Sequence, residues 1–178
     1  MSPGVKSVVY TSSSSAASLP QADTRIVVTS ETWNQSAVDV ARKDAEASGF
    51  VVLRGESRRR LSVRFWRKRG VVSRLSWLTA KPAFIDVVDD ARLHVAALID
   101  PSCAGKRIFA FARPFNRDDV LAIFRKMHLD KEFRDDIKVG RDLSEVPNQE
   151  AEELLRKHYG HGWTSLEESV KANVATLA

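Results

Sequence analysis

The 178-residue sequence contains one cysteine, Cys103, and no stretch near the roughly 20 consecutive apolar residues that a membrane-spanning helix requires. A single cysteine excludes an internal disulfide and a Cys-based metal framework, and it predicts a reducing, cytoplasmic setting. The first residues lack the charged-then-apolar pattern of a secretory leader, so none is expected. Histidine is also scarce. Of the four, only His158 and His161 stand close, and without a third ligand nearby their spacing reads as a helix-ending turn rather than a metal site. The eight glycines, at 4, 49, 55, 70, 105, 140, 160 and 162, are too scattered to form the Gly-rich turn through which a backbone approaches the phosphates of a dinucleotide.

What is present is 43% hydrophobic residues, enough for one core, and a net charge of +5. The charge lies almost entirely in one window. Arg54 to Arg74 holds nine basic residues against the single acid Glu56, and the remainder carries 19 basic and 22 acidic side chains. A nucleic-acid or anionic-surface patch is one reading of this window, with Phe65, Trp66 and Trp77 available for stacking. A solvated charge run is the commoner reading, so nucleic acid is not the expected partner.

Apolar periodicity marks the elements. Ser7 to Tyr10 reads as a short strand leading into the polar run Thr11 to Ser15, Arg25 to Thr29 as a second extended piece, and Ser36 to Ala47 as a helix. From Phe50 to Leu78 neither a period of 2 nor one of 3.6 survives. A helix is expected over about Asp89 to Asp100, stopped by Pro101, with Val88, Ala91, Val95 and Leu98 on its buried face. Arg107 to Ala112, apolar on both sides, predicts an interior strand. Asn116 caps a helix whose stripe is Val120, Ile123, Phe124 and Met127. Another helix runs from about Asn148 to His158, with Ala151, Leu154 and Leu155 inward and Gly160 and Gly162 at its end. Thr164-Ser165-Leu166-Glu167 predicts a capping box opening a last helix. Asp86 and Asp89 are expected to satisfy backbone donors, and His94 to be packed or capped.

Three segments, in order, carry a resemblance: Ser7-Val8-Val9-Tyr10-Thr11-Ser12-Ser13-Ser14, then Val27-Val28-Thr29-Ser30-Glu31-Thr32-Trp33-Asn34, then Phe84-Ile85-Asp86-Val87-Val88-Asp89-Asp90-Ala91-Arg92-Leu93-His94-Val95-Ala96-Ala97-Leu98. With the closing Gly162-Trp163-Thr164-Ser165-Leu166-Glu167, they resemble extended short-chain dehydrogenase/reductases. The group in question is the fungal-type ketone and aldehyde reductases of the NAD-dependent epimerase/dehydratase family, related to dihydroflavonol reductases. The resemblance implies an α/β fold, with a partial Rossmann-type nucleotide-binding domain and a smaller α/β substrate-binding lobe. Its implied boundaries are 1–50 for the nucleotide-binding remnant, 51–76 for the anomalous Arg-rich segment, and 77–178 for the carboxyl-terminal part.

In such enzymes a serine and a tyrosine hydroxyl hold the carbonyl oxygen, and a lysine helps the tyrosine to protonate it as hydride arrives. The resemblance places Ser13 at the catalytic serine, with Ser12 and Ser14 as competitors, and puts Thr11 and Ser12 beside the cofactor, NADP or NAD. A small-molecule carbonyl compound is the implied substrate. The tyrosine has no counterpart: Tyr10 is followed four residues on by Ser14, and Tyr159 by Trp163, so no Tyr-x-x-x-Lys exists. The expectation is an amino-terminally truncated reductase, inactive as written, whose residues 51–76 come from a shifted frame or a retained intron. A non-catalytic binding or regulatory remnant is the alternative.

Overall fold

A computed structural model describes residues 4–18, 21–36, 38–39, 83–138 and 140–175. The Arg-rich window and most of the helix expected over Ser36 to Ala47 lie outside the described residues. The chain divides into two compact units, one within residues 1–10, 20–30 and 80–178, the other within 11–19 and 31–79.

In the first unit, side-chain caps decide where helices begin. Asp86 accepts the Val88 N–H at 2.8 Å and opens helix α1 (Val87–Ile99). Asp100 closes α1 and, through the Ser102 N–H at 3.0 Å, starts a 3-10 turn at Pro101–Cys103, where proline cannot continue the α-helical ladder. Asn116 and Asp119 form a reciprocal capping box for α2 (Arg117–Met127). Helix α3 (Gln149–Tyr159) ends at Gly160, whose φ of +79° is the left-handed conformation that favours glycine. Helix α4 (Leu166–Ala175) follows. Strands β1 (Ala83–Phe84) and β2 (Arg113–Pro114) pair antiparallel, and Val27 makes an isolated parallel bridge with Glu145.

The described residues are therefore α/β, with four α-helices and a small sheet. Helix α1 packs on α3 and α2 on α4. Leu93 and Ala96 of α1, Cys103, and Ala151, Leu154 and Leu155 of α3 form the buried cluster, flanked by Ile85, Ile108, Ala110, Tyr159 and Trp163. The inward face of α3 is the one its apolar spacing predicts. The stripe of α2 also holds, with Ile123 its buried member.

Other expectations are corrected. Helix α1 is rotated: Asp89, Leu93 and Ala96 face inward, while Val88 and Val95 are each half exposed and Leu98 nearly so. Apolar residues ring most of α1, so periodicity could not choose a side. The choice falls to Asp89, which is fully buried and accepts the Thr164 N–H at 2.7 Å. The expected interior strand over Arg107 to Ala112 has no ladder of its own. Pairing starts with Ala112 N–H to the Phe84 carbonyl at 2.8 Å, and the Asn148 side chain takes the Phe111 carbonyl at 2.6 Å. No strand forms at Ser7 to Tyr10 among the described residues, and Val8 and Tyr10 are exposed there.

The capping box of α4 sits one residue later than expected. Ser165 Oγ donates to Glu168 Oε2 at 2.6 Å, and the Glu168 N–H returns to Ser165 Oγ at 3.2 Å. The Thr164 N–H, which the expected box would give to Glu167, serves Asp89 instead. Glu167 instead pairs with Lys171 and Lys126.

Candidate functional site

Thr11, Ser12 and Ser13 are exposed and lead into the 3-10 turn Ser14–Ala16 of the second unit. The Ala16 N–H donates to the Ser13 carbonyl and the Ala17 N–H to that of Ser14, each at 2.9 Å. Ala16 and Ala17 are buried, and their small side chains let another backbone come close. That backbone belongs to Asn34, itself buried, whose N–H donates to the Ala16 carbonyl at 3.0 Å. Ser36 Oγ holds the Asn34 amide oxygen at 2.8 Å, and the Val38 N–H reaches the Asn34 carbonyl at 3.2 Å, where a helical turn starts. The serine loop and the Trp-Asn segment, separate in the sequence, thus meet through one backbone hydrogen bond.

This loop presents hydroxyl groups that can hydrogen-bond a carbonyl oxygen. The described part of the unit contains no tyrosine, lysine or histidine that could deliver a proton. A nicotinamide dinucleotide also finds no backbone cradle among the described glycines. Gly4, Gly105 and Gly160 have open space but stand far apart in the sequence, and the last two follow the carboxyl ends of a 3-10 turn and of α3, where exposed carbonyls disfavour phosphate. Gly140 is crowded by Asp23, and Gly162 by Glu152 and Arg156. No Gly-rich turn among the described residues therefore fits the cofactor's phosphates.

The first unit collects buried charge around α1 instead. Asp100, buried, receives Lys157 Nζ at 2.7 Å and His158 Nε2 at 2.9 Å on one carboxylate oxygen. Lys157 first, then His158 and the Ser102 N–H, hold its carboxyl well below the usual range. Cys103 is close by, and burial, with Asp100 next in effect, pushes its thiol up and away from the reactive thiolate. Arg92 lies 3.5 Å from Asp89, over the Tyr159 ring, and 2.7 Å from His161. His158 and His161 therefore serve different partners, and no group of metal-ligating side chains exists among the described residues. His94 donates from Nδ1 to the Asp90 carbonyl at 2.8 Å, the capped arrangement expected of it. Sequence reasoning missed the Asp89, Arg92 and His161 cluster. Its one signal was the group Asp89, Asp90 and Arg92 in the first two turns of a largely apolar helix.

No protein-family model matches the chain. Curated relatives do. A ketoreductase, adrE of Penicillium roqueforti, is 39% identical over 101 residues, covering 53% of this chain and 29% of the relative. Aldehyde reductase 2 of Sporidiobolus salmonicolor is 34% identical over 103 residues, covering 57% and 30%. The NAD-dependent epimerase/dehydratase terH of Aspergillus terreus is 28% identical over 211 residues, covering 94% of this chain and 62% of the relative. The chain thus spans under a third of the length of the first two relatives. The third match is 33 positions longer than the chain itself, so at least that many positions of the relative stand opposite gaps.

Proposed function

We infer that this chain, a homologue of ketoreductases and NAD-dependent epimerase/dehydratases, derives from an oxidoreductase that reduced a small carbonyl compound with a nicotinamide cofactor, NADPH by analogy, in specialised metabolism. Residues 1–178 carry little or none of that activity by themselves. Ser13 stands at the position of the catalytic serine, and Thr11 and Ser12 at the cofactor's edge.

The observation that carries this reading is the pairing of partial similarity to reductases with a missing proton donor. Identity of 34–40% to reductases over about 100 residues coexists with the absence of any Tyr-x-x-x-Lys and with at least 33 skipped positions in the longest match. A serine hydroxyl without the tyrosine and lysine can orient a carbonyl oxygen but cannot protonate it as hydride arrives, because its own proton is not released near neutral pH. Mixing the purified 178-residue protein with NADPH or NADH and a panel of aldehydes and ketones should leave the cofactor absorbance unchanged. Sustained oxidation of the cofactor would overturn the proposal, and its loss in Ser13→Ala would then assign the serine within a complete enzyme.

A non-catalytic binding role is favoured by one separate observation, the aliphatic residues Val88, Val95, Leu98 and Ile99 exposed on α1. Under that reading the protein binds neither cofactor and self-associates as its concentration rises.

A further inference from the structure

We propose that the turn from Gly160 to Ser165 is held to α1 by a histidine clasp that opens on mild acidification, while the join between α1 and α3 stays shut. The clasp is His161. Arg92 can only donate, so its Nη1 at 2.7 Å from His161 Nε2 makes that nitrogen an acceptor. The Gly162 carbonyl can only accept, so His161 Nδ1, 2.7 Å away, carries the hydrogen. Both ring nitrogens are committed in the neutral form. A further proton has Nε2 as its only place, and there it removes the acceptor and sets an imidazolium against a guanidinium.

Other charges face this turn from α1, α3 and α4. From α1, Asp89 Oδ1 lies 3.5 Å from the same Arg92 Nη1. From α3, Glu152 and Arg156 pair at 2.6 Å beneath Gly162, and the Tyr159 ring lies under Arg92 with its hydroxyl donating to the Arg92 carbonyl at 3.2 Å. Asp89 Oδ1, buried and with no hydrogen bond of its own, faces Arg92, and from α4 Glu168 Oε2 accepts from the Ser165 N–H at 2.9 Å and the Ser165 hydroxyl at 2.6 Å. Three residues earlier the logic reverses. Asp100 Oδ2 can only accept, so His158 Nε2, 2.9 Å away, donates whether its ring is neutral or charged, and Lys157 shares the oxygen. Acid therefore takes the bond at His161 and leaves the one at His158. What the opened turn uncovers is Asp89, whose Oδ2 is held by the Thr164 N–H, together with the half-buried Trp163.

Histidine changes charge between about pH 5 and 8, so amide hydrogen exchange of the full chain is compared near the two ends of that range, with rates corrected for intrinsic exchange. Peptides across 160–166 should lose protection by about tenfold at the acid end. Those across 149–158 should not change. In His161→Gln, where the amide oxygen accepts from Arg92 at any pH, protection should be the same at both ends. Equal protection of 160–166 in the wild type, or an unchanged acid loss in His161→Gln, overturns the clasp. Imidazole nitrogen shifts of the wild type give a second test that needs no variant. A neutral His161 ring with its hydrogen on Nδ1 supports the clasp, and one with it on Nε2 refutes it.

Discussion

At Asp100 a carboxylate leaves water and is answered by three donors, Lys157, His158 and the Ser102 N–H, from two places in the chain. Its folded-state carboxyl is held below the usual range, whereas an unfolded aspartate titrates near about 3.9. The sign follows: the stabilisation is fully present above the unfolded value and is lost as pH falls through the depressed folded one. Asp100→Asn should lower Tm by several degrees at pH 5 to 7, with the gap to wild type closing below roughly pH 4. Thermal melts of both proteins across that range check this, and a gap that persists unchanged in strong acid contradicts it. Asp86 was legible as a cap because capping is local. Asp100 was not, because two of its donors sit 57 and 58 residues away.

Among the elements, α2 and α3 were readable because their apolar residues occupy one face and their ends carry strong signals, Asn116 at one and Gly160 at the other. Helix α1 was readable in extent but not in rotation, and α4 was displaced by one residue. In both cases the deciding contact is that of Asp89 with the Thr164 N–H. The shifted cap gives a direct comparison. Ser165→Ala should destabilise by about 1 kcal/mol, while Thr164→Ala, which keeps the N–H that Asp89 uses, should cost only a few tenths of that amount. Urea unfolding of the two variants checks the order, and the reverse order would restore the earlier register. The segment over Arg107 to Ala112 shows the matching limit for strands, because alternation describes a backbone's two faces but supplies no partner for its edges.

On the scale of the molecule, the described core is small and centred on the contact of α1 with α3, so single side chains carry a large share of its stability. Leu155 is fully buried there. Leu155→Ala should cost about 2–5 kcal/mol, against a net stability of about 5–15 kcal/mol for an ordinary domain. Denaturant titration would read this as a lowered midpoint with the slope unchanged. A cost under about 1 kcal/mol would show that the cluster is not the organising core.

The sequence by itself carried the resemblance to reductases, the absence of Tyr-x-x-x-Lys and of a Gly-rich turn, the ends of α2 and α3, and the inward residues of α3. Each depends on residue identity or on spacing within a few turns. Only the tertiary structure decided which side of α1 is buried, where α4 is capped, how Asn34 meets the turn after Ser13, and that His158 and His161, three residues apart, face charges of opposite sign. Those outcomes depend on groups brought together from distant parts of the chain, and no local period records such a meeting.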